Sequence, residues 1–195
     1  MPRGLAERLA PYRSSAGAAF VGWLADRRQM LVMTRGLESQ TGQVFCANAP
    51  GDYLAQSLAE AGHRLHDRAI SKDDVYRLRA IVSAWIAEPA VNGILITGGT
   101  GFTGRDSTPE AIRPLLDKEM PGFGEMFRVL SFEEIGTSTL QSRAFAGLAN
   151  DKFVFCLPGS TSACRTAWEK LIGAQLDART KPCNLANLRP RLRES

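Results

Sequence analysis

The stretch Gly93–Ile–Leu–Ile–Thr97 runs unbroken and apolar into Gly98–Gly–Thr–Gly101. An apolar run without polar alternation is the pattern of a strand buried on both faces of a parallel sheet. Three glycines directly behind it let the backbone turn sharply and aim N–H groups at an anion without interference from a Cβ. Thr97, Thr100 and Thr103 add hydroxyls beside that turn. A second junction of the same kind follows later: the buried-type strand Phe153 to Leu157, then Pro158–Gly–Ser160, then a helical pattern through Ala167, Trp168, Leu171 and Ile172. First-turn amides of such a helix lack partners within the helix and suit an anion. Either turn alone fits packing as well as phosphate binding. Two at strand ends of one sheet favour a ligand.

Outward from these turns, strands alternate with helices. Met30 to Thr34 has strand length, and Gly36 to Gly51 is a glycine-punctuated loop in which Val44–Phe–Cys46 could add a strand. Asp52 opens an amphipathic helix with Leu54, Leu58 and Ala61 on one face, and Gly62 stands where a helix stops. Arg64 to Ile70 reads as a strand. Ser71 is an N-cap candidate for a helix carrying Asp73 and Asp74 in its first turn and Val75, Leu78, Val82, Trp85 and Ile86 at helical spacing, with Pro89 ending it. Pro109 and Glu110 begin another helix, with Ile112, Leu115 and Leu116 inward, and a further helix is expected over Leu140 to Leu148. This alternation predicts an α/β fold, a three-layer, doubly wound and mostly parallel sheet, with ligands beyond the carboxyl ends of the strands.

The 195 residues suit one domain, with 44% hydrophobic and 23% charged residues, as in globular proteins. No run approaches ~18 apolar residues, so no membrane span is expected. Residues 1–29 are rich in Arg and Ala and hold the longest apolar stretch, Ala16 to Ala25. Arg27 and Arg28 follow where a leader's cleavage site should lie, so the segment reads as a poorly ordered or mis-assigned extension to a domain over 30–184. Residues 185–195, with Arg189, Arg191 and Arg193, read as a solvated basic tail. Cys46, Cys156, Cys164 and Cys183 show no CxxC spacing and read as reduced, buried thiols of a cytoplasmic protein. The net charge of +4 permits anionic ligands without requiring nucleic acid.

Among candidate side chains, Asp106 stands just ahead of Ser107–Thr–Pro109 and a helix. It reads as an N-terminal capping carboxylate, or as a Mg2+ ligand that relieves repulsion beside phosphates. Asp73 and Asp74 admit the same two readings. His63 and His66 flank a strand start and read as ordinary histidines, and Trp85 and Trp168 as core. No Gly-Lys-Ser/Thr closes the glycine turn, and the GxGxxG spacing is unmet, which disfavours a P-loop hydrolase and a dinucleotide site.

Gly98–Gly–Thr–Gly101, Arg105–Asp–Ser–Thr–Pro–Glu–Ala111, Leu130–Ser–Phe–Glu–Glu–Ile–Gly136, Ser142–Arg143, Pro158–Gly–Ser160 and Ala163–Cys–Arg–Thr–Ala–Trp–Glu169 together resemble the MoaB/Mog family of molybdopterin-binding proteins. The resemblance spans residues 51–184. It implies a homotrimer or a hexamer of two trimers, a cleft for molybdopterin, other cofactor-biosynthesis enzymes as partners, and, in the Mog branch, adenylylation of the molybdopterin phosphate with Mg2+ and ATP. It places Asp73 and Asp106 at the catalytic carboxylate positions, with Asp106 holding the metal. Thr97, Gly98, Gly99, Thr100, Gly101, Thr103, Ser131, Pro158, Gly159 and Ser160 fall at ligand-binding positions. The chain departs from the family pattern at Asn48–Ala–Pro–Gly51, where a carboxylate and a hydroxyl are lost, in the long loop before it, and at Lys72, which replaces a proline. The intact Asp106 favours an adenylyltransferase; Asn48–Ala49–Pro50 favours a non-catalytic molybdopterin-binding or scaffolding oligomer.

Overall fold

The computed structural model describes residues 49–192 in full and the backbone of residues 21–23 and 28–35. Among these residues a seven-stranded sheet has the order β1-β2-β4-β7-β6-β5, with β3 also paired to β2. The strands are β1 (Val21–Trp23), β2 (Arg28–Arg35), β3 (Arg64–Ser71), β4 (Val91–Thr97), β5 (Lys118–Glu119), β6 (Phe145–Ala149) and β7 (Lys152–Leu157). The central pairings β2–β3, β2–β4 and β4–β7 are parallel, while β1, β5 and β6 join antiparallel. The doubly wound α/β expectation holds, with antiparallel margins on a parallel centre.

Alternation along the central strands sorts the core into two layers. Leu95 of β4 and Phe153, Phe155 and Leu157 of β7 face helices α1 (Ala49–Glu60), α4 (Pro121–Ile135) and α5 (Thr161–Ala167), which continues through a π turn at Trp168–Ile172 into α6 (Gly173–Leu176). Ile94 and Ile96 of β4 and Val154 and Cys156 of β7 face α2 (Val75–Ala87) and α3 (Thr108–Ile112) on the other side. Every residue of β4 and β7 is buried, as strands covered on both faces require.

Several local expectations change. α1 begins at Ala49, three residues before Asp52, and ends as read: Gly62 takes φ +82°, with the Gly62 and His63 amides donating back to Ala59 and Leu58. The cap of α2 is Asp74, not Ser71. Its carboxylate accepts from the Tyr76 and Arg77 amides, because β3 runs on through Ser71. Leu140 to Leu148 is no helix: a 3-10 turn over Gly136–Gln141 leads into β6. Asn150 and Asp151, both at positive φ, fold β6 back onto β7 as a two-residue hairpin. β1 falls within the segment 1–29, so the sheet starts ahead of residue 30; the rest of that segment, and Val44–Phe–Cys46, lie outside the described residues.

Among the described residues of the C-terminal segment, 185–192, part of the chain docks on the core. Helix α7 (Leu185–Leu188), capped by Asn184, buries Ala186 completely in the core, and the Arg189 guanidinium lies 3.6 Å from the buried Asp151 carboxylate. Cys156 and Cys164 are buried free thiols, whereas Cys183 is exposed. No helix among the described residues is long and apolar enough to cross a membrane.

Candidate functional site

Register builds the site. Thr97 at the end of β4 pairs with Leu157 at the end of β7 and with Thr34 in β2, so these chains leave the sheet at one level. β3 ends there too, Ser71 pairing with Arg35. The sheet winds away in opposite directions from β2 and β4, which makes this carboxyl edge the crevice where α/β proteins bind ligands.

The two glycine turns touch. The Gly98 amide donates to the Leu157 carbonyl at 2.9 Å, and any Cβ on Gly159 would meet the Gly98 Cα at 3.2 Å. Thr97 is buried; its hydroxyl donates to the Pro158 carbonyl at 2.7 Å and touches the Cys164 sulfur, so it ties the turns together from behind. Burial pushes the Cys164 thiol up to about 12, which keeps it neutral. Gly98 and Gly99 take φ of +102° and +66°, conformations that a side chain would strain. Thr108, at the start of α3, donates its amide to the Gly99 carbonyl and its hydroxyl to the Gly98 carbonyl, pinning the turn from the other side.

Both carboxylates come to this turn. A Cβ on Gly99 would lie 3.2 Å from Asp73 Oδ1, and one on Gly101 would lie 2.8 Å from Asp106 Oδ2. Asp106 does not cap α3, whose N-cap is Ser107. Its Oδ2 accepts from the Thr103 amide at 2.9 Å and the Thr103 hydroxyl at 2.6 Å, closing the loop Phe102–Arg105 on itself. Thr100 is buried beneath the loop. Gly159 and Ser160 are exposed at the second turn, where the Ser160 Oγ caps α5 by accepting the Ala163 amide. Ser131 lies elsewhere, in the buried stripe of α4 with Phe123, Gly124 and Phe127, on a helix packed against β6 and α5.

Sequence reasoning gave no role to Arg143. Its amide donates to the Thr100 carbonyl, Nε to the Gly101 carbonyl (2.8 Å) and Nη2 to the Asp106 carbonyl (2.9 Å), while Nη1 pairs with Glu110. That hydrogen bond holds the Glu110 carboxyl below its ordinary range. These partners are more than thirty residues away in the chain, and no local pattern marks such a contact. Behind the loop, Glu110 and Arg143 also line a cleft of about 520 Å³ with Arg113, Arg128 and Glu125; neither glycine turn contributes to it.

The chain around these turns has known relatives. The family model described as "Probable molybdopterin binding domain" matches residues 31–178. The chain belongs to the MoaB/Mog family of molybdopterin-binding domains. Molybdenum cofactor biosynthesis protein B of Escherichia coli K12 is 63% identical over 134 residues, 69% of this chain and 79% of that protein. A crystal structure of a molybdenum cofactor biosynthesis protein B superposes with a TM-score of 0.67 at 40% identity, over 74% of this chain and 88% of that one. The tungsten cofactor synthesizing protein MoaB from Pyrococcus furiosus gives a TM-score of 0.58 at 33% identity, over 71% and 86%. The MoaB/Mog span encloses both turns and both carboxylates and ends before α7, so the docked C-terminal segment lies beyond the family match.

Proposed function

We propose that the protein binds molybdopterin at the joined glycine turns and transfers an adenylyl group from ATP to its terminal phosphate. The observation that carries the reading is the contact of the two turns, Gly159 against Gly98, with Asp73 and Asp106 beside the same glycines. Backbone amides and the N-terminus of α5 suit the phosphates of both substrates. In the transfer, a molybdopterin phosphate oxygen attacks the α-phosphorus of ATP, the bond to the bridging oxygen breaks, and pyrophosphate leaves. Mg2+ would supply charge compensation for that leaving group.

The donor set fits this ion. Carboxylate oxygens are hard ligands, and Mg2+ commonly rests on one or two of them with substrate phosphates completing its shell. No group of three or more His, Cys, Asp or Glu among the described residues forms a metal cage, which accords with an ion brought by the nucleotide. Asp106 would hold it, with Asp73 across the turn. Homo-oligomers of trimeric symmetry, contacts with other enzymes of cofactor biosynthesis and a cytoplasmic location complete the reading; the free, buried thiols of Cys156 and Cys164 suit a reducing compartment.

A second reading has its own observation: Asp106 Oδ2 already accepts two bonds from Thr103, so the carboxylate could serve the loop, with the protein holding molybdopterin without transfer. One variant separates the two. Asp106→Asn keeps an oxygen for Thr103 but loses the charge, so stability should change by less than ~1 kcal/mol. Under the first reading, adenylylated product from molybdopterin, ATP and Mg2+ falls by ~100-fold or more. Molybdopterin binding with no product in either protein supports the second.

A further inference from the structure

The loop that carries Asp106 is tied at both feet by one side chain from the segment just ahead of β6. We propose that Arg143 is a positioning residue of the candidate site, holding Thr100–Asp106 in the shape that presents Asp106 to a substrate phosphate. The inference deepens the functional reading above and rests on it for the identity of the phosphate.

The register explains how Arg143 gets there. β6 runs antiparallel to β7, with Phe145 opposite Cys156, so the residues just before β6 emerge at the edge where β7 ends. β7 is also the neighbour of β4. The loop after β4 therefore leans across the end of β7 to reach the segment Ser142–Ala144. There each nitrogen of the Arg143 guanidinium has its own protein acceptor: Nε the Gly101 carbonyl, Nη2 the Asp106 carbonyl, Nη1 the Glu110 carboxylate. The cation also lies 5.4 Å from the Phe102 ring centroid, at the crown of the loop. Gly101 and Asp106 flank the excursion Phe102–Arg105, so one planar fork sets the width of its mouth. A guanidinium so engaged is directed at the protein and not at a ligand. A lysine ammonium keeps the charge but cannot reproduce this fork.

Arg143→Lys and Arg143→Ala test the assignment. In the ligand-free full chain, hydrogen exchange at the Thr103, Asp106 and Thr108 amides should speed up about tenfold or more in both variants, with the β4 and β7 amides unchanged. Millimolar guanidinium should restore loop protection in Arg143→Ala. Mg·ATP titration should show affinity lower by about 10- to 100-fold in Arg143→Lys, since misplacement of a positioned group costs that much. Unchanged loop protection in Arg143→Ala overturns the proposal, as does a Lys variant that binds Mg·ATP like the wild type, because charge alone then suffices. Loss of protection spreading into β4 and β7 overturns it too, by making Arg143 a general determinant of the fold. If the wild type binds no Mg·ATP, the functional reading fails by itself, and the exchange measurement still decides whether Arg143 holds the loop.

Discussion

His63 stands between α1 and β3 with its ring edge-on to Trp168, centroids 5.9 Å apart. Burial lowers its pKa to about 4, against a smaller opposing pull from Asp177. In the unfolded chain the imidazole titrates near 6.5, so between 6.5 and 4 the unfolded state binds more protons. Stability from keeping this ring neutral is complete above about 6.5 and is lost as pH falls toward 4. The difference amounts to about 2 kcal/mol once the partial exposure of the ring is allowed for. Melting temperature should therefore drop between pH 7 and 4, and His63→Phe should flatten that slope; an unchanged slope would remove His63 as its source. At this scale the residues of the site were legible as types and spacings: glycines before a helix, carboxylates near strand ends. Their bonding was not. Thr97, read as a ligand hydroxyl, donates to the Pro158 carbonyl, and Asp106, read as a cap or a Mg2+ ligand, accepts from Thr103. A hydroxyl or carboxylate has several possible partners, and only the folded chain selects among them.

Elements divide along the same line. β4 and β7 were plain from their unbroken apolar runs, and α2 from its period. β6 was misread as helix because a five-residue apolar run fits either element. The feature that arbitrates sits right behind it: Asn150 and Asp151 at φ of 45° and 59° form the two-residue turn of a hairpin that pairs Ala149 with Lys152. Asn150 also donates its side-chain amide to the Ile86 carbonyl at 3.0 Å, linking the turn to α2. Asn150→Ala removes that bond and replaces a residue that tolerates the left-handed region with one that does not, so it should cost about 1–2 kcal/mol by denaturant unfolding. Asn150→Gly, which loses the bond but not the conformational ease, should cost less. α4 was missed although Pro121 at its start and Gly136 at its end are ordinary boundary signals. Its Phe123 and Phe127 are core residues, with Phe123 5.3 Å from Phe155 in an edge-on contact.

For the molecule as a whole, the apolar surface lies one step round α4 from those phenylalanines. Met126, Val129, Phe132 and Ile135 are about half exposed, and Leu140 beyond the helix is 74% exposed. Apolar side chains gathered on one face are the kind of surface that a second copy of a chain covers. The trimeric assembly in the functional proposal should use it: light scattering should give an oligomeric mass, and Phe132→Glu should lower that mass while leaving the secondary structure intact. A stably folded monomer at micromolar concentration would remove the oligomer from the proposal.

The order of strands has a consequence for how the protein is made. β7 is among the last strands in sequence yet sits in the middle of the sheet, between β4 and β6. While the ribosome is still extending the chain toward Lys152, β4 has β2 along one side and nothing along the other, an apolar strand with one open edge. That edge closes only when Lys152–Leu157 arrive, and Ala186 seals the layer above it later still. Long-range pairing of this kind delays folding and exposes the unfinished sheet to aggregation. Nascent chains stopped short of Lys152 would thus be the species most in need of chaperones, whereas the released protein carries no trace of that exposure.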